Sequence, residues 1–125
     1  MKLIIAGGRD YKLVGFDYNR LDILLLRYEI TEIVSGGARG VDTAGELWAK
    51  QNSIPVKRFP ANWERYGSYA GPVRNRQMAV YADAVALFPG GAGTRNMYEQ
   101  AVEHGLTIFD YRNRDYRNRV LRELP

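Results

Sequence analysis

The chain has 125 residues, 46% of them hydrophobic, and a formal net charge of +4, the profile of one globular domain around a single core. It holds no cysteine and one histidine, His104, which excludes disulfides, thiolate catalysis and metal sites built on Cys or His clusters. The charge is uneven: between Tyr111 and Pro125 five arginines stand against Asp115 and Glu123, so the preceding part is close to neutral and nucleic acid is an unfavoured partner for the fold as a whole.

In chain order, Lys2 to Ala6 reads as a strand bounded by Gly7-Gly8. Leu21, Leu24, Leu25 and Tyr28 then recur at helical spacing, with Asp17 placed to cap the start. Glu32 to Val34 forms a second strand, and a helix follows from about Val41 with Val41, Ala44 and Trp48 on one face. Val56 to Phe59 is a third strand. A long loop leads to a helix from about Pro72, a favoured first-turn residue. Ala84 to Phe88 is strand four, Thr94 to His104 a helix stopped by Gly105, and Thr107 to Asp110 strand five. Alternating strands and helices predict an α/β fold, a Rossmann-like three-layer sandwich with a parallel five-stranded sheet ordered 3-2-1-4-5. Residues 1–125 form one domain, of which 111–125 is a basic tail. No apolar run approaches the roughly 20 residues of a membrane span, and the N-terminal run is too short for a secretion signal; a cytoplasmic location and no membrane partner are expected.

Three loops, each after a predicted strand, are rich in glycine: Gly7-Gly8-Arg9-Asp10, Ser35-Gly36-Gly37-Ala38-Arg39-Gly40 and Pro89-Gly90-Gly91-Ala92-Gly93-Thr94. Glycine lets a ligand approach the backbone, and the second and third loops run into helix starts, where free N–H groups favour an anion. The winding reverses between strands one and four, which places the ligand crevice there. No Lys-Ser/Thr follows the glycines and no G-x-G-x-x-G is present, so neither a P-loop nor an ordinary NAD site is expected. Trp63 in the long loop could stack on a base. Arg74, near a helix start, calls for a negative partner: a ligand, or Asp10 or Asp42. Asn75 lies beside it. Asp42, in a helix first turn, is suited to capping or to a ribose hydroxyl. No metal site is indicated.

Ser35-Gly36-Gly37-Ala38-Arg39-Gly40-Val41-Asp42, Gly71-Pro72-x-Arg74-Asn75-x-x-Met78 and Phe88-Pro89-Gly90-Gly91-x-Gly93-Thr94 together resemble the YspA-like branch of the SLOG superfamily. That superfamily includes the Lonely Guy phosphoribohydrolases and DNA-processing protein A. The resemblance implies a Rossmann-like fold, a nucleotide-derived ligand, and a homodimer formed through helices beside the site, for which Tyr81 and Tyr98 are the aromatic candidates. Where Lonely Guy enzymes place a catalytic glutamate after the third glycine motif, this chain has Asn96. Arg74 matches their upstream arginine, and Glu99 is the nearest following carboxylate to stand in for the missing one. An amide cannot serve as a general base. The expectation is therefore a nucleotide-binding protein (sensor, carrier or sequestering protein), with a nucleotide-cleaving phosphoribohydrolase as the alternative.

Overall fold

The computed structural model describes residues 1–113; the remainder of the basic tail, with Leu121 and Leu124 expected to pack a terminal turn, lies outside the described residues. Strands β1 (Lys2–Ala6), β2 (Glu32–Ser35), β3 (Val56–Arg58), β4 (Ala84–Leu87) and β5 (Thr107–Asp110) form a single parallel sheet. The order is β3-β2-β1-β4-β5, as the alternation predicts. Helices α1 (Gly15–Arg27) and α2 (Val41–Gln51) cover one face, and α4 (Ala70–Tyr81) and α5 (Ala92–Glu103) the other.

The period of two along each strand divides the core between these layers. Leu3 and Ile5 of β1, Ile33 of β2 and Ala84 and Ala86 of β4 pack with Leu21, Leu24, Val41 and Trp48. Ile4, Ala6, Val34, Val85 and Leu87 point the other way, onto Met78, Ala79, Met97 and Ala101. Burial of both faces explains why β1 and β4 read as nearly continuous apolar runs. Among the described residues no helix is long and apolar enough to cross a membrane.

Asp17 caps the start of α1 as expected, and does so from inside the first turn: fully buried, its Oδ2 accepts from the N–H of Val14, the residue that precedes the helix, at 2.9 Å and from the Tyr11 hydroxyl at 2.8 Å. Three local expectations are corrected. The long loop contains a short helix, α3 (Trp63–Tyr66), started by the Asn62 side chain accepting from Arg65 N–H, and then a 3-10 turn over Gly67–Tyr69. That turn feeds α4 two residues before Pro72. Proline is tolerated there because first-turn N–H groups have no helical partner. Thr94 likewise lies inside α5, buried in its first turn, and Gly91 takes the capping position.

Tyr81 and Tyr98, expected to be available for a subunit interface, are used within the chain. Tyr81 donates to Glu32, packs on Phe59 with ring centroids 5.3 Å apart, and lies under Lys2. Tyr98 packs against the α4–α5 core, with the Arg112 guanidinium 4.4 Å from its ring centroid.

Candidate functional site

The three glycine loops meet at the carboxyl ends of the strands, where the winding reverses between β1 and β4. Gly8 ties them together. Its N–H donates to Pro89 O at 2.9 Å, and its carbonyl accepts from Val41 N–H at 3.3 Å. Beside this junction opens a crevice of about 510 Å³, lined by Gly7, Gly8, Arg9, Asp42, Arg74, Asn75, Gly91, Gly93 and Thr94 among the expected residues. Asn96, Asp10 and Ser68 complete its polar lining.

The remaining expected residues lie elsewhere. Ser35 is buried, and its hydroxyl donates to Glu46 at 2.6 Å while Glu46 pairs with Arg58. Arg39 forms an exposed ion pair with Asp10 at 3.1 Å. Gly40, at φ +80°, precedes α2; a Cβ there would run into the Gly8 and Arg9 carbonyl oxygens, so this glycine lets the first two loops touch. Pro89 is buried, and Gly90 packs between Gly8 and Thr94. Gly36, Gly37 and Trp63 border an adjoining cavity of about 410 Å³ together with Arg58 and Arg74. Glu99 is exposed and does not line the crevice.

The two helix starts at the loops differ. The first N–H of α2 is taken by the Gly8 carbonyl, and Asp42 puts a carboxyl in the first turn. The amino end of α5 has no side-chain cap and no acidic residue in its first turn, and a Cβ at Gly91 or Gly93 would meet nothing within 4 Å. Free N–H groups and the positive end of the helix dipole are therefore presented to the crevice there. Of the two loops expected to receive an anion, the third has the open geometry.

Arg74 stands at the crossing of the two cavities. Its Nη1 donates to Gly36 O at 2.8 Å and its Nε to Asn75 Oδ1 at 3.1 Å. Asn75, itself buried, donates onward to Gly93 O at 3.1 Å and Asn96 Oδ1 at 3.0 Å. One amide thus ties Arg74 to the first turn of α5, and Asn96 serves as its acceptor. Burial pulls the Arg74 guanidinium below its ordinary range, against the opposing pull of Asp42. Burial pushes the Asp42 carboxyl up to about 6, although the Ala38 N–H, Arg74 and Arg9 favour its charged form. No ion pair within 4.0 Å joins Asp42 to Arg74 among the described residues.

Ser68 was not expected at the site. The only signal for it in the sequence is its closeness to Gly71-Pro72, in a stretch whose aromatic residues point instead to Trp63.

A Rossmann-like sandwich with a glycine-lined crevice at its switch point defines the class. Residues 1–66 match the YspA, cpYpsA-related SLOG family, YAcAr. The match spans more than half of the sequence and includes the first two glycine loops, and the chain belongs to that family. It is 34% identical over 87 residues to the Gene 61 protein of Mycobacterium phage D29, covering 63% of this chain and 70% of that protein. In fold it is similar to DNA processing protein A from Streptococcus pneumoniae, with a TM-score of 0.68 and 20% identity over 87% of this chain. The chain spans about half the length of that structure, 49%.

Proposed function

We propose that the crevice binds a nucleotide or nucleotide-derived phosphate and that the protein acts as a sensor, carrier or sequestering protein for it. The observation that carries this reading is the uncapped amino end of α5, open beside Gly91 and Gly93, in a crevice that Arg9 and Arg74 also line. Such a helix end stabilises an anion by roughly 0.3–1 kcal/mol when exposed and up to about 2 kcal/mol when partly buried. In this reading the phosphate rests on the first turn of α5, and the exposed Trp63 indole in the adjoining cavity offers a stacking face for a base.

Binding without turnover is favoured over cleavage by what lies near that phosphate position. Asn96 is an amide already engaged by Asn75, and Glu99 is outside the crevice. Pairing of two copies gains no support from Tyr81 and Tyr98, whose rings the fold already uses.

The test is calorimetric titration with adenosine 5′-monophosphate, ADP and ADP-ribose, followed by mass analysis of the recovered ligand. Saturable binding with intact ligand supports the reading. Recovery of free base at enzyme-like rates replaces it with the phosphoribohydrolase alternative, and absence of binding by every phosphate compound removes it.

A further inference from the structure

The two edges of the sheet are protected unequally. β3, at one edge, is three residues long and exposes Lys57 and Arg58, and charge on an edge strand discourages pairing with another chain. β5, at the other edge, reads Thr-Ile-Phe-Asp. It has no lysine, arginine or proline, and its one acid, Asp110, is held by the Arg112 guanidinium at 2.8 and 2.9 Å.

The backbone of β5 is divided by residue parity. Thr107 N–H donates to Asp83 O at 3.1 Å and Tyr111 N–H to Leu87 O at 2.7 Å, so residues 107, 109 and 111 turn their polar groups to β4. The N–H and C=O of Ile108 and Asp110 turn away from the sheet, where no further strand stands among the described residues. The side chains are under-covered as well. Ile108 and Phe109 are only half-buried, whereas every residue of the adjoining β4 is buried. Tyr28, whose ring centroid lies 5.3 Å from that of Phe109, is exposed on the α1 side, and Val102 is exposed on α5.

We propose that β5 pairs antiparallel with β5 of a second copy, about a two-fold axis at Phe109, so that the sheet continues from one chain into the other. The register follows from the parity. Only residues 108 and 110 offer outward groups, so these must oppose each other. Ile108 opposite Ile108 leaves Asp110 unused. Asp110 opposite Asp110 sets like charges together. Ile108 opposite Asp110 uses every outward donor and acceptor in both copies, and a two-fold axis at Phe109 produces that arrangement. It also brings the two Phe109 rings together and sets Thr107 beside Tyr111 of the other copy. The contact is confined to a four-residue strand and its flanks. It therefore falls below about 1,200 Å², and a Kd of about 10–100 µM is expected. The pairing does not depend on what the crevice binds.

Sedimentation equilibrium of the full chain from about 5 to 500 µM is expected to show a monomer–dimer equilibrium. Thr107→Lys sets a charge at the pairing edge, at an exposed position whose N–H bond to Asp83 is kept. It is expected to raise Kd by about tenfold or more, whereas Thr107→Val, which suits a strand, is expected to leave Kd within about twofold. Thermal unfolding confirms that both variants are folded. In the native chain, amide exchange at Ile108 and Asp110 is expected to slow as concentration rises. A monomer throughout the range overturns the proposal. So does a dimer in which these two amides exchange as fast as in the monomer, or one that Thr107→Lys forms as tightly as the native chain. Protection of both amides in a monomer also overturns it and assigns the edge to a strand of the same chain.

Discussion

Arg74 reaches Gly36 across the crevice edge, and its Nη1 hydrogen bond to the Gly36 carbonyl, 2.8 Å long, closes over the space where a side chain at residue 36 would stand. Gly36→Ala must displace the guanidinium, the Asp42 carboxyl or both. It is expected to cost about 1–3 kcal/mol in overpacking and to weaken ligand binding together with stability. Gly91→Val, placed beside open space, is expected to weaken binding with little change in unfolding midpoint. Denaturant titration alongside calorimetry separates the two, and unchanged affinity in Gly91→Val would exclude the amino end of α5 as the anion site.

Asp42 makes stability depend on pH in the unusual direction for a carboxyl. Its folded value is about 6 against 3.8 unfolded, so the unfolded chain ionises first. The resulting destabilisation is absent below pH 4, develops between pH 4 and 6, and is fully present above pH 6, at about 3 kcal/mol. Asp42→Asn is expected to raise the urea midpoint at pH 7.5, with the gain vanishing near pH 4. A variant less stable than the native protein at pH 7.5 contradicts this.

Asn75 is expected to couple stability to binding. Asn75→Ala removes the donor to Gly93 O and Asn96 and the acceptor for Arg74 Nε. A loss of about 2 kcal/mol in stability is expected from the buried groups left unpaired. Affinity for ribose 5-phosphate should fall with it, because Arg74 and the first turn of α5 lose their common tether. Native affinity in a destabilised variant would show that the amide only supports the fold.

Trp63→Ala tests the adjoining cavity. If a base stacks on the indole, removal costs about 1–3 kcal/mol of nucleotide affinity and leaves ribose 5-phosphate unaffected. Glu99→Gln serves as the control, since its exposed side chain lies outside the crevice; a change in binding or turnover there would return Glu99 to the site.

The sheet was legible because its central strands, β1, β2 and β4, are buried on both faces and read as short apolar runs closed by glycine or a turn. Its order followed from right-handed crossovers taken together with a Rossmann-like winding. The switch-point crevice was legible for the same reason, and it collects Gly7, Arg9, Asp42, Arg74, Asn75 and Gly93 from four separate segments. What sequence could not resolve was which way each side chain turns. Ser35 and Asp42 lie seven residues apart at the same loop, yet Ser35 faces Glu46 and Asp42 faces the crevice. The region before Pro72 failed for another reason: two short helical turns, each held by local bonds such as Asn62 to Arg65 N–H, leave no apolar period to detect. Glu99 is near Asn96 along the chain, but helical rotation turns it away from the crevice.

The backbone junction at Gly8 has a kinetic consequence. With its N–H given to Pro89 and its carbonyl taken by Val41, the first loop is fastened to both others before any ligand arrives. The ordering cost, roughly 1–2 kcal/mol of backbone entropy per residue, has been met during folding. A molecule entering the crevice meets a set frame, so association should run near the ordinary rate for rigid partners, with residence time rather than arrival distinguishing good ligands from poor ones. Amide protons at Gly8 and Val41 should then exchange slowly with and without ligand, and protection gained on binding should concentrate at residues 91–94.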